Sequence, residues 1–168
     1  MDKTNEYQFA STIGQDSHAF DMSVPEGEYL IKLGGVDVKS KFPISANSDG
    51  DVLLHAITNA VSGFTCVNIL GKIADKMCLE EGITDSKAYL YEALSYLKNA
   101  EITRLSVSIE CLSPKISPVV DLIRENLSSL LALSPECIGI TATTGEGLTA
   151  FGRGEGISVF AIMSFKYK

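Results

Sequence analysis

The sequence lacks a run of about 18 apolar residues, the length that a membrane-spanning helix requires, although 45% of its residues are hydrophobic. Its opening stretch, MDKTNEYQ, is polar and shows neither the apolar core of a signal peptide nor the pattern of a transit peptide. We therefore predict a cytoplasmic protein with no membrane partner, in which residues 1–6 form a flexible extension. A plastid location in a plant-like source stays open.

The sequence also has few positively charged residues. The chain has 14 Lys and Arg against 21 Asp and Glu, which gives a net charge of −7 and a pI near 4.8. Nucleic-acid-binding domains usually carry a basic stripe, so this balance argues against a nucleic-acid partner. A phosphorylated small molecule is still compatible, because backbone N–H groups, a few basic side chains and a metal ion can form a local anion site.

Cysteine is sparse and scattered along the chain. The spacing of the cysteines matches no C-x₂-C zinc pattern, and nothing indicates an oxidising compartment. We therefore expect reduced, partly buried thiols at Cys66, Cys78, Cys111 and Cys137.

No repeat, low-complexity segment or linker divides the 168 residues, so we predict a single domain over 1–168. Alternating apolar residues predict strands, and helical spacing predicts helices. The predicted strands are 7–13, 29–33, 105–112, 136–144 and 157–167, and the predicted helices are 49–64, capped by Ser48, 84–100 and 117–133. A glycine pair at 34–35 marks a turn, and 65–83 is irregular or a short helix. Strands followed by helices that alternate with strands predict an α/β (α+β) fold, a mixed β-sheet covered by helices on one face.

Histidine is rare, and both histidines of the chain have acidic neighbours. Asp16 and His18 are two positions apart, so their side chains point the same way on an extended segment. His55 lies in the predicted helix 49–64. One aspartate and two histidines are a recognised ligand set for a zinc-type ion with a fourth position left open. Asp16, His18 and His55 are therefore a candidate metal site.

Each histidine also has a simpler explanation. Asp16 can cap its own backbone in a loop beside a surface His18. His55 can be satisfied by Asp51, which precedes it by one helical turn on the same face. In the metal interpretation, Asp51 or a neighbouring carbonyl would instead orient His55. The residues alone leave these interpretations open.

The stretch TATTGEGLTAFGRGEG, residues 141–156, is rich in glycine and begins in a predicted strand. Its glycines allow the backbone to approach a ligand closely. Glu146 suits a hard cation such as Mg²⁺, and Arg153 suits bidentate binding of a phosphate or a carboxylate. A flexible loop in which Arg153 pairs with Glu155 or with another subunit is the open alternative.

A short loop with one basic residue, SPK at 113–115, follows another predicted strand. Pro114 fixes the loop, and Lys115 offers a point charge for phosphate. A solvated loop lysine is the usual alternative.

Taken in order, these segments resemble the 2-C-methyl-D-erythritol 2,4-cyclodiphosphate synthase family. The family's marks are a G-x-D-x-H-x-F start, an S-D-G-D-V-x-L-H-A helix, a P-K loop and a T-T-x-E…G-R-G-E-G tail. Here they are GQDSHAF, SDGDVLLHA, SPK and TTGEGLTAFGRGEG, spread from about residue 10 to 165.

The resemblance implies a homotrimer of α/β subunits with active sites between neighbouring chains. Family enzymes take 4-diphosphocytidyl-2-C-methyl-D-erythritol 2-phosphate, let the 2-phosphate attack the β-phosphorus and expel CMP. The product is a cyclic diphosphate of the non-mevalonate isoprenoid pathway.

Matched motif by motif, the resemblance places a Zn²⁺ or Mn²⁺ ion on Asp16, His18 and His55. It places a second ion, Mg²⁺ or Mn²⁺, on Glu146 and the substrate diphosphate. Catalytic roles fall on Asn47, Thr143 and Glu146. Substrate contacts fall on Asp16, His18, Asn47, Ser48, Gly71, Cys111, Pro114, Lys115, Thr143, Thr144, Glu146 and Arg153, of which Cys111, Pro114 and Lys115 match the cytidine pocket and Arg153 matches a position near the trimer axis.

The sequence departs from the family pattern at substrate-contacting positions. Asn47 stands where the family usually has a histidine before the serine, and the loop after Gly71 and Lys72 has lost the family's P-D-T-D-P acids. Further replacements are Asn59 for an aspartate, Gly147 for a lysine and Ala150 for an aromatic residue. Two alternatives to the standard reaction therefore stay open: a paralogue that acts on a different nucleotide diphosphate, and a non-catalytic diphosphate-binding member.

Overall fold

The computed structural model describes residues 6–168, so the predicted extension 1–6 lies outside the described residues except for Glu6. Within this range the strands are β1 (Gln8–Ala19), β2 (Tyr29–Leu33), β3 (Val36–Ser40), β4 (Ala100–Glu110), β5 (Ile138–Thr143) and β6 (Gly156–Tyr167). Four of them form one sheet in the order β1-β6-β4-β5, and β2 and β3 form a separate hairpin. β6 pairs antiparallel with β1 and β4, whereas β4 and β5 are parallel. The sheet is therefore mixed, as predicted.

Helices fill the long connections between strands. In the described part of the chain they are α1 (Val52–Thr65), α2 (Lys72–Asp75), α3 (Ser86–Ser95) and α4 (Val120–Leu131), with a π-helical turn at Lys76–Glu80 directly after α2. Short 3₁₀ turns lie at Ser117–Val119, Pro135–Cys137 and Gly145–Gly147. None of the helices in residues 6–168 has the length and apolar composition to cross a membrane.

The core lies between the helices and one face of the sheet. Helix α1 packs across β1 and β6, and α4 packs on β5. Every second residue of β6 faces this layer and is fully buried, namely Ile157, Val159, Ala161, Met163 and Phe165. Phe160 and Ile162 point to the other face and are exposed. The predicted α+β class, with helices on one face of a mixed sheet, is confirmed.

Gly14 allows β1 to lie directly against α1. A Cβ at this position would be 2.0 Å from the carbonyl oxygen of Ala56 and 2.4 Å from the backbone nitrogen of Ala60. Real Cβ atoms do not approach backbone so closely, so glycine is what permits this contact. The contact brings the end of β1 beside the first turn of α1.

Three strand predictions need correction. β4 begins at Ala100 and not at residue 105, because it pairs with β6 from Ala100 opposite Tyr167. β1 continues to Ala19 instead of ending at residue 13, because it pairs with β6 along its whole length, from Gln8 opposite Tyr167 to Ala19 opposite Gly156. Strand β3 was not predicted. It follows the turn at 34–35, whose glycines have φ of 63° and 78°, and pairs with β2.

Two predicted helix boundaries are also wrong. Helix α1 is capped by Asp51 and not by Ser48, since the Asp51 carboxylate accepts a hydrogen bond from the Leu54 N–H at 2.9 Å. The predicted helix 84–100 ends at Ser95. Asn99 has a left-handed backbone with φ of 55°, and Ala100 already begins β4.

Candidate metal centre

Strand β1 and helix α1 bring Asp16, His18 and His55 together. Nδ1 of His55 lies 3.1 Å from Oδ2 of Asp16 and 3.2 Å from Nε2 of His18. The third side of this triangle, from His18 Nε2 to Asp16 Oδ2, measures 3.5 Å. The predicted convergence of these residues is confirmed, and they form a group of potential metal ligands.

The spacing of the three donor atoms fits a single ion. Ligands held at 2.0–2.2 Å from zinc in tetrahedral geometry lie about 3.3–3.6 Å from one another. The observed separations of 3.1, 3.2 and 3.5 Å differ from this by a few tenths of an ångström at most. One ion can therefore contact Asp16, His18 and His55 together and leave a position open for a substrate oxygen.

Burial favours the form of His18 that can bind a metal ion. Burial lowers the pKa of His18, and this effect exceeds the opposing influence of the nearby Asp16 carboxylate. A lowered pKa favours the neutral imidazole, and the neutral imidazole is the form that binds a metal.

Asp51 does not contact His55 through its side chain. Its carboxylate accepts hydrogen bonds from the N–H groups of Gly34 at 2.8 Å, Gly35 at 2.5 Å and Leu54 at 2.9 Å. Asp51 thus joins the β2–β3 turn to the start of α1. The interpretation of Asp51 as the residue that satisfies or orients His55 is wrong, because both carboxylate oxygens have backbone partners elsewhere.

The second ring nitrogen of His55 has a different partner. Nε2 lies 2.9 Å from the hydroxyl oxygen of Ser86, which is fully buried at the start of α3. The Ser86 hydroxyl also contacts the carboxylate of Asp49. The sequence did not predict this contact, because Asp85 and Ser86 form an ordinary helix start and His55 is 31 positions away.

The three donors open into a cavity of about 530 Å³. Asn47, Ser48 and Gly71 also line it, so the structure places these predicted substrate contacts beside the metal ligands. The remaining lining residues are Ala46, Asn59, Leu70, Ala74, Asp75, Cys78 and Tyr89. Of these, Ala74, Asp75 and Cys78 lie in α2 and the π-helical turn, the segment that departs from the family pattern.

A second group of predicted site residues lies elsewhere on the chain, at the ends of β4 and β5. Thr144 donates a hydrogen bond from Oγ1 to Oε1 of Glu146 at 3.3 Å, and Thr143 Oγ1 accepts one from the Gly145 N–H at 3.2 Å. Arg153 donates to Glu155 at 2.7 Å, which is the pairing that the sequence left open.

The predicted cytidine residues lie next to this second group. Pro114 and Lys115 line a cavity of about 650 Å³, and Lys115 and Arg153 line a neighbouring one of about 490 Å³. Cys111 is buried and donates from Sγ to the Pro114 carbonyl at 3.4 Å. Burial raises the pKa of its thiol to about 11. Among the described residues, none lines both these cavities and the metal cavity.

Sequence comparison identifies relatives over almost the whole chain. The model of the YgbB family matches residues 9–166. The 2-C-methyl-D-erythritol 2,4-cyclodiphosphate synthase of Chlamydia muridarum is 41% identical over 160 residues, which cover 95% of this chain and 89% of the relative. The synthase of the same name from Chlamydia felis is 43% identical over 153 residues, covering 90% and 86%.

Solved structures agree with this result. The IspF protein of Plasmodium falciparum, solved as a CDP complex, superposes with a TM-score of 0.80 at 26% identity and covers 95% of this chain and 97% of that one. A 2C-methyl-D-erythritol-2,4-cyclodiphosphate synthase structure gives a TM-score of 0.80 at 28% identity, with coverage of 92% and 98%. The chain therefore belongs to the YgbB family.

Proposed function

We propose that this chain is a metal-dependent cyclodiphosphate synthase, a phosphorus–oxygen lyase of isoprenoid biosynthesis. It converts 4-diphosphocytidyl-2-C-methyl-D-erythritol 2-phosphate to 2-C-methyl-D-erythritol 2,4-cyclodiphosphate and releases CMP. The observation that carries the proposal is the triangle of Asp16, His18 and His55 donors, 3.1–3.5 Å apart, at a cavity in a chain so similar to named synthases. We expect it to act in the cytoplasm.

The reaction exchanges one phosphoanhydride bond for another. An oxygen of the 2-phosphate attacks the β-phosphorus, the bond from that phosphorus to the α-phosphate oxygen breaks, and CMP leaves with the bonding electrons. Both reacting groups are anionic, so they repel each other until their charge is neutralised and they are held in line. A divalent cation on Asp16, His18 and His55 would supply positive charge to the phosphate oxygens.

The residues around that cation have distinct tasks in this proposal. The Ser48 hydroxyl and the Asn47 amide, both on the cavity wall, donate hydrogen bonds to phosphate oxygens. The Asn47 amide is neutral, so it positions a phosphate without adding the charge that a histidinium would bring. Gly71 leaves room for the polyol to approach the backbone.

The second group of residues would bind the cytidine diphosphate part. Glu146 and the hydroxyls of Thr143 and Thr144 are oxygen donors of the kind that Mg²⁺ or Mn²⁺ prefers. Cys111, Pro114 and Lys115 would form the cytidine pocket.

A homotrimer would unite these two groups. They do not share a cavity within one chain, whereas the substrate has to contact both. The face of the sheet opposite the helices exposes Phe9, Ile13, Phe160 and Ile162, with 72, 62, 48 and 49% of their surface accessible. Apolar patches of this kind mark interfaces between chains, so we propose that active sites form between neighbouring subunits.

A paralogue with another substrate is the second candidate, and the cavity wall favours it. Ala74 and Cys78 line the cavity within the segment where the family pattern has its acidic loop, with Leu70 and Tyr89 on the same wall, and Asp75 is the carboxylate that this segment contributes to the lining. A less polar wall would suit a nucleotide diphosphate whose other half has fewer hydroxyl groups than methylerythritol.

Phosphorus NMR distinguishes these proposals. Purified protein is incubated with 4-diphosphocytidyl-2-C-methyl-D-erythritol 2-phosphate, Zn²⁺ and Mg²⁺, and we expect signals of CMP and the cyclic diphosphate to grow together. A metallated trimer that leaves this substrate intact contradicts the synthase proposal. Turnover of another cytidine diphosphate conjugate by that same preparation would support the paralogue, and binding of CDP without any turnover would support a non-catalytic member.

A further inference from the structure

A chain of hydrogen bonds leads from His55 away from the candidate metal centre. Nε2 of His55 lies 2.9 Å from Oγ of Ser86, and this hydroxyl contacts Oδ1 of Asp49. The backbone N–H of Ser86 donates to Oδ2 of Asp49 at 3.2 Å, so two bonds hold the serine against the carboxylate. Ser86 is completely buried, and 8% of His55 is exposed.

With an ion between Asp16, His18 and Nδ1 of His55, the donors and acceptors in this chain can be arranged in one way. The Asp49 carboxylate accepts hydrogen bonds and has none to give, and the Ser86 hydroxyl has a single proton. That proton therefore goes to Asp49, since two oxygens without a hydrogen between them would repel. Ser86 Oγ must then accept its other hydrogen bond from the Nε2–H of His55.

This arrangement fixes the tautomer of His55. A neutral imidazole with its proton on Nε2 carries a lone pair on Nδ1. Nδ1 is the atom that lies 3.1 Å from Asp16 Oδ2 and 3.2 Å from His18 Nε2. The lone pair thus points to the place where an ion would contact Asp16 and His18.

The Asp49 carboxylate is held in place by backbone N–H groups. Oδ1 accepts a hydrogen bond from the Asp51 N–H at 3.2 Å, and Oδ2 accepts one from the Ser86 N–H at 3.2 Å. Lys32, Asp85 and Lys87 border the same cavity of about 220 Å³ as Asp49. The acceptor of the Ser86 hydroxyl is therefore fixed by the backbone on both sides.

We propose that Ser86 and Asp49 are positioning residues, which together select the Nε2–H tautomer of His55 and hold its Nδ1 toward the metal ion. The inference rests on the metal centre of the proposed function and adds two residues that are not among the predicted site residues. Hydrogen-bonded partners of this kind raise the basicity of a ligating imidazole and fix its ring orientation.

Zinc affinity of Ser86 variants tests the proposal. The metal-free full-length protein is titrated with Zn²⁺ in competition with a chromophoric chelator. Loss of such a partner typically weakens metal binding about 10–100-fold, so we expect a loss of this size in Ser86→Ala. Ser86→Thr keeps the hydroxyl and restores most of the affinity.

Ser62→Ala is the matched control. Ser62 is a buried serine of α1 whose hydroxyl accepts from the Ile69 N–H at 3.4 Å, away from His55, so its removal leaves zinc affinity unchanged. If Ser86→Ala binds zinc as tightly as the wild type, Ser86 and Asp49 do not position His55 for the metal. A wild type that binds no zinc would instead contradict the metal centre itself.

The tautomer can be measured without any variant. Long-range ¹H–¹⁵N correlation spectra of the zinc-loaded wild type report which nitrogen of His55 carries the proton. We expect the proton on Nε2, in slow exchange with water because Ser86 accepts it, and the zinc ion on Nδ1. A proton on Nδ1 with zinc on Nε2, or an Nε2 proton that exchanges as fast as that of a free imidazole, would overturn the proposal even if Ser86→Ala failed to fold.

Discussion

His18 and His55 belong to the same candidate metal centre, but different features of the structure favour the metal-binding form of each. Burial lowers the pKa of His18 and so favours its neutral form, whereas His55 is oriented by its contact with Ser86. The pairing of Asp16 with His18 could be predicted from the sequence, because side chains two positions apart share a face of a strand. The contact with Ser86 could not, since it depends on how α1 and α3 pack.

Cys111 offers a test at the level of a single residue, because burial raises the pKa of its thiol to about 11. A raised pKa keeps the thiol protonated, and the thiolate is the reactive form. Against an unperturbed value of 9.0, the thiolate fraction at pH 8 falls about 100-fold. We therefore expect alkylation of native Cys111 by iodoacetamide to be at least that much slower than in the urea-unfolded chain, and to accelerate as the pH rises toward 11. Peptide mass spectrometry measures this rate, and equal rates at pH 8 would show that the thiol is neither buried nor perturbed.

At the scale of elements, the contact between β1 and α1 positions the metal ligands. β1 carries Asp16 and His18, and the first turn of α1 carries His55. Gly14 lets the two backbones touch, and Asp51 fixes the start of α1 against the β2–β3 turn. Helix and strand types could be predicted from periodicity, but the cap at Asp51 could not be distinguished from one at Ser48, because the two residues have similar capping preferences.

Substitution of Gly14 tests the close approach. In Gly14→Ala the new methyl group would lie 2.0 Å from the Ala56 carbonyl oxygen, so β1 has to move away from α1. Overpacking of this kind costs about 1–3 kcal/mol of unfolding free energy, and the displaced ligands should also bind zinc more weakly. Gly139→Ala is the control, since its Cβ would meet nothing closer than 4.0 Å. Urea denaturation and zinc titration measure both effects, and equal stability of the two variants would refute the contact.

Substitution of Asp51 tests the helix start. Asp51→Ala leaves three N–H groups at Gly34, Gly35 and Leu54 without their acceptor, and Asp51 itself is fully buried. We expect a loss of about 2–4 kcal/mol in unfolding free energy, because buried donors without partners are costly. Asp85→Ala removes an exposed cap of α3 that accepts from the Lys87 N–H at 2.9 Å, and we expect a loss of about 1 kcal/mol. Equal losses of unfolding free energy in the two variants, measured by urea denaturation, would show that Asp51 does no more than an exposed helix cap.

At the scale of the whole molecule, one chain presents two separate groups of candidate site residues and an apolar sheet face. The metal cavity, with Asn47 and Ser48, is separate from the cavities at Pro114, Lys115 and Arg153. The sequence predicted the members of each group through their motifs. It also predicted irregular structure or a short helix at 65–83, which α2 and the π-helical turn confirm. It could not predict which side chains of this segment line the cavity, because that depends on how the segment packs.

A charged substitution on the apolar sheet face tests the assembly. Three 18.0-kDa chains give about 54 kDa, and we expect light scattering after size exclusion to find this mass for the wild type. Phe160→Asp should dissociate the assembly, because burying a carboxylate in an apolar interface is unfavourable. Leu30→Asp is the control, since Leu30 is 65% exposed on β2, outside this face, and should stay trimeric. A monomeric wild type, or dissociation by Leu30→Asp alone, would contradict the proposed interface.

Zinc content is the most direct test of the central claim that Asp16, His18 and His55 form one metal centre. Wild type and His55→Ala are loaded with Zn²⁺, desalted and analysed by mass spectrometry of the metal, with circular dichroism to verify folding. We expect one zinc per chain in the wild type, since a three-residue site with the separations found here holds one ion. His55→Ala should fold and retain almost no zinc. Equal zinc in the two folded proteins would contradict the account.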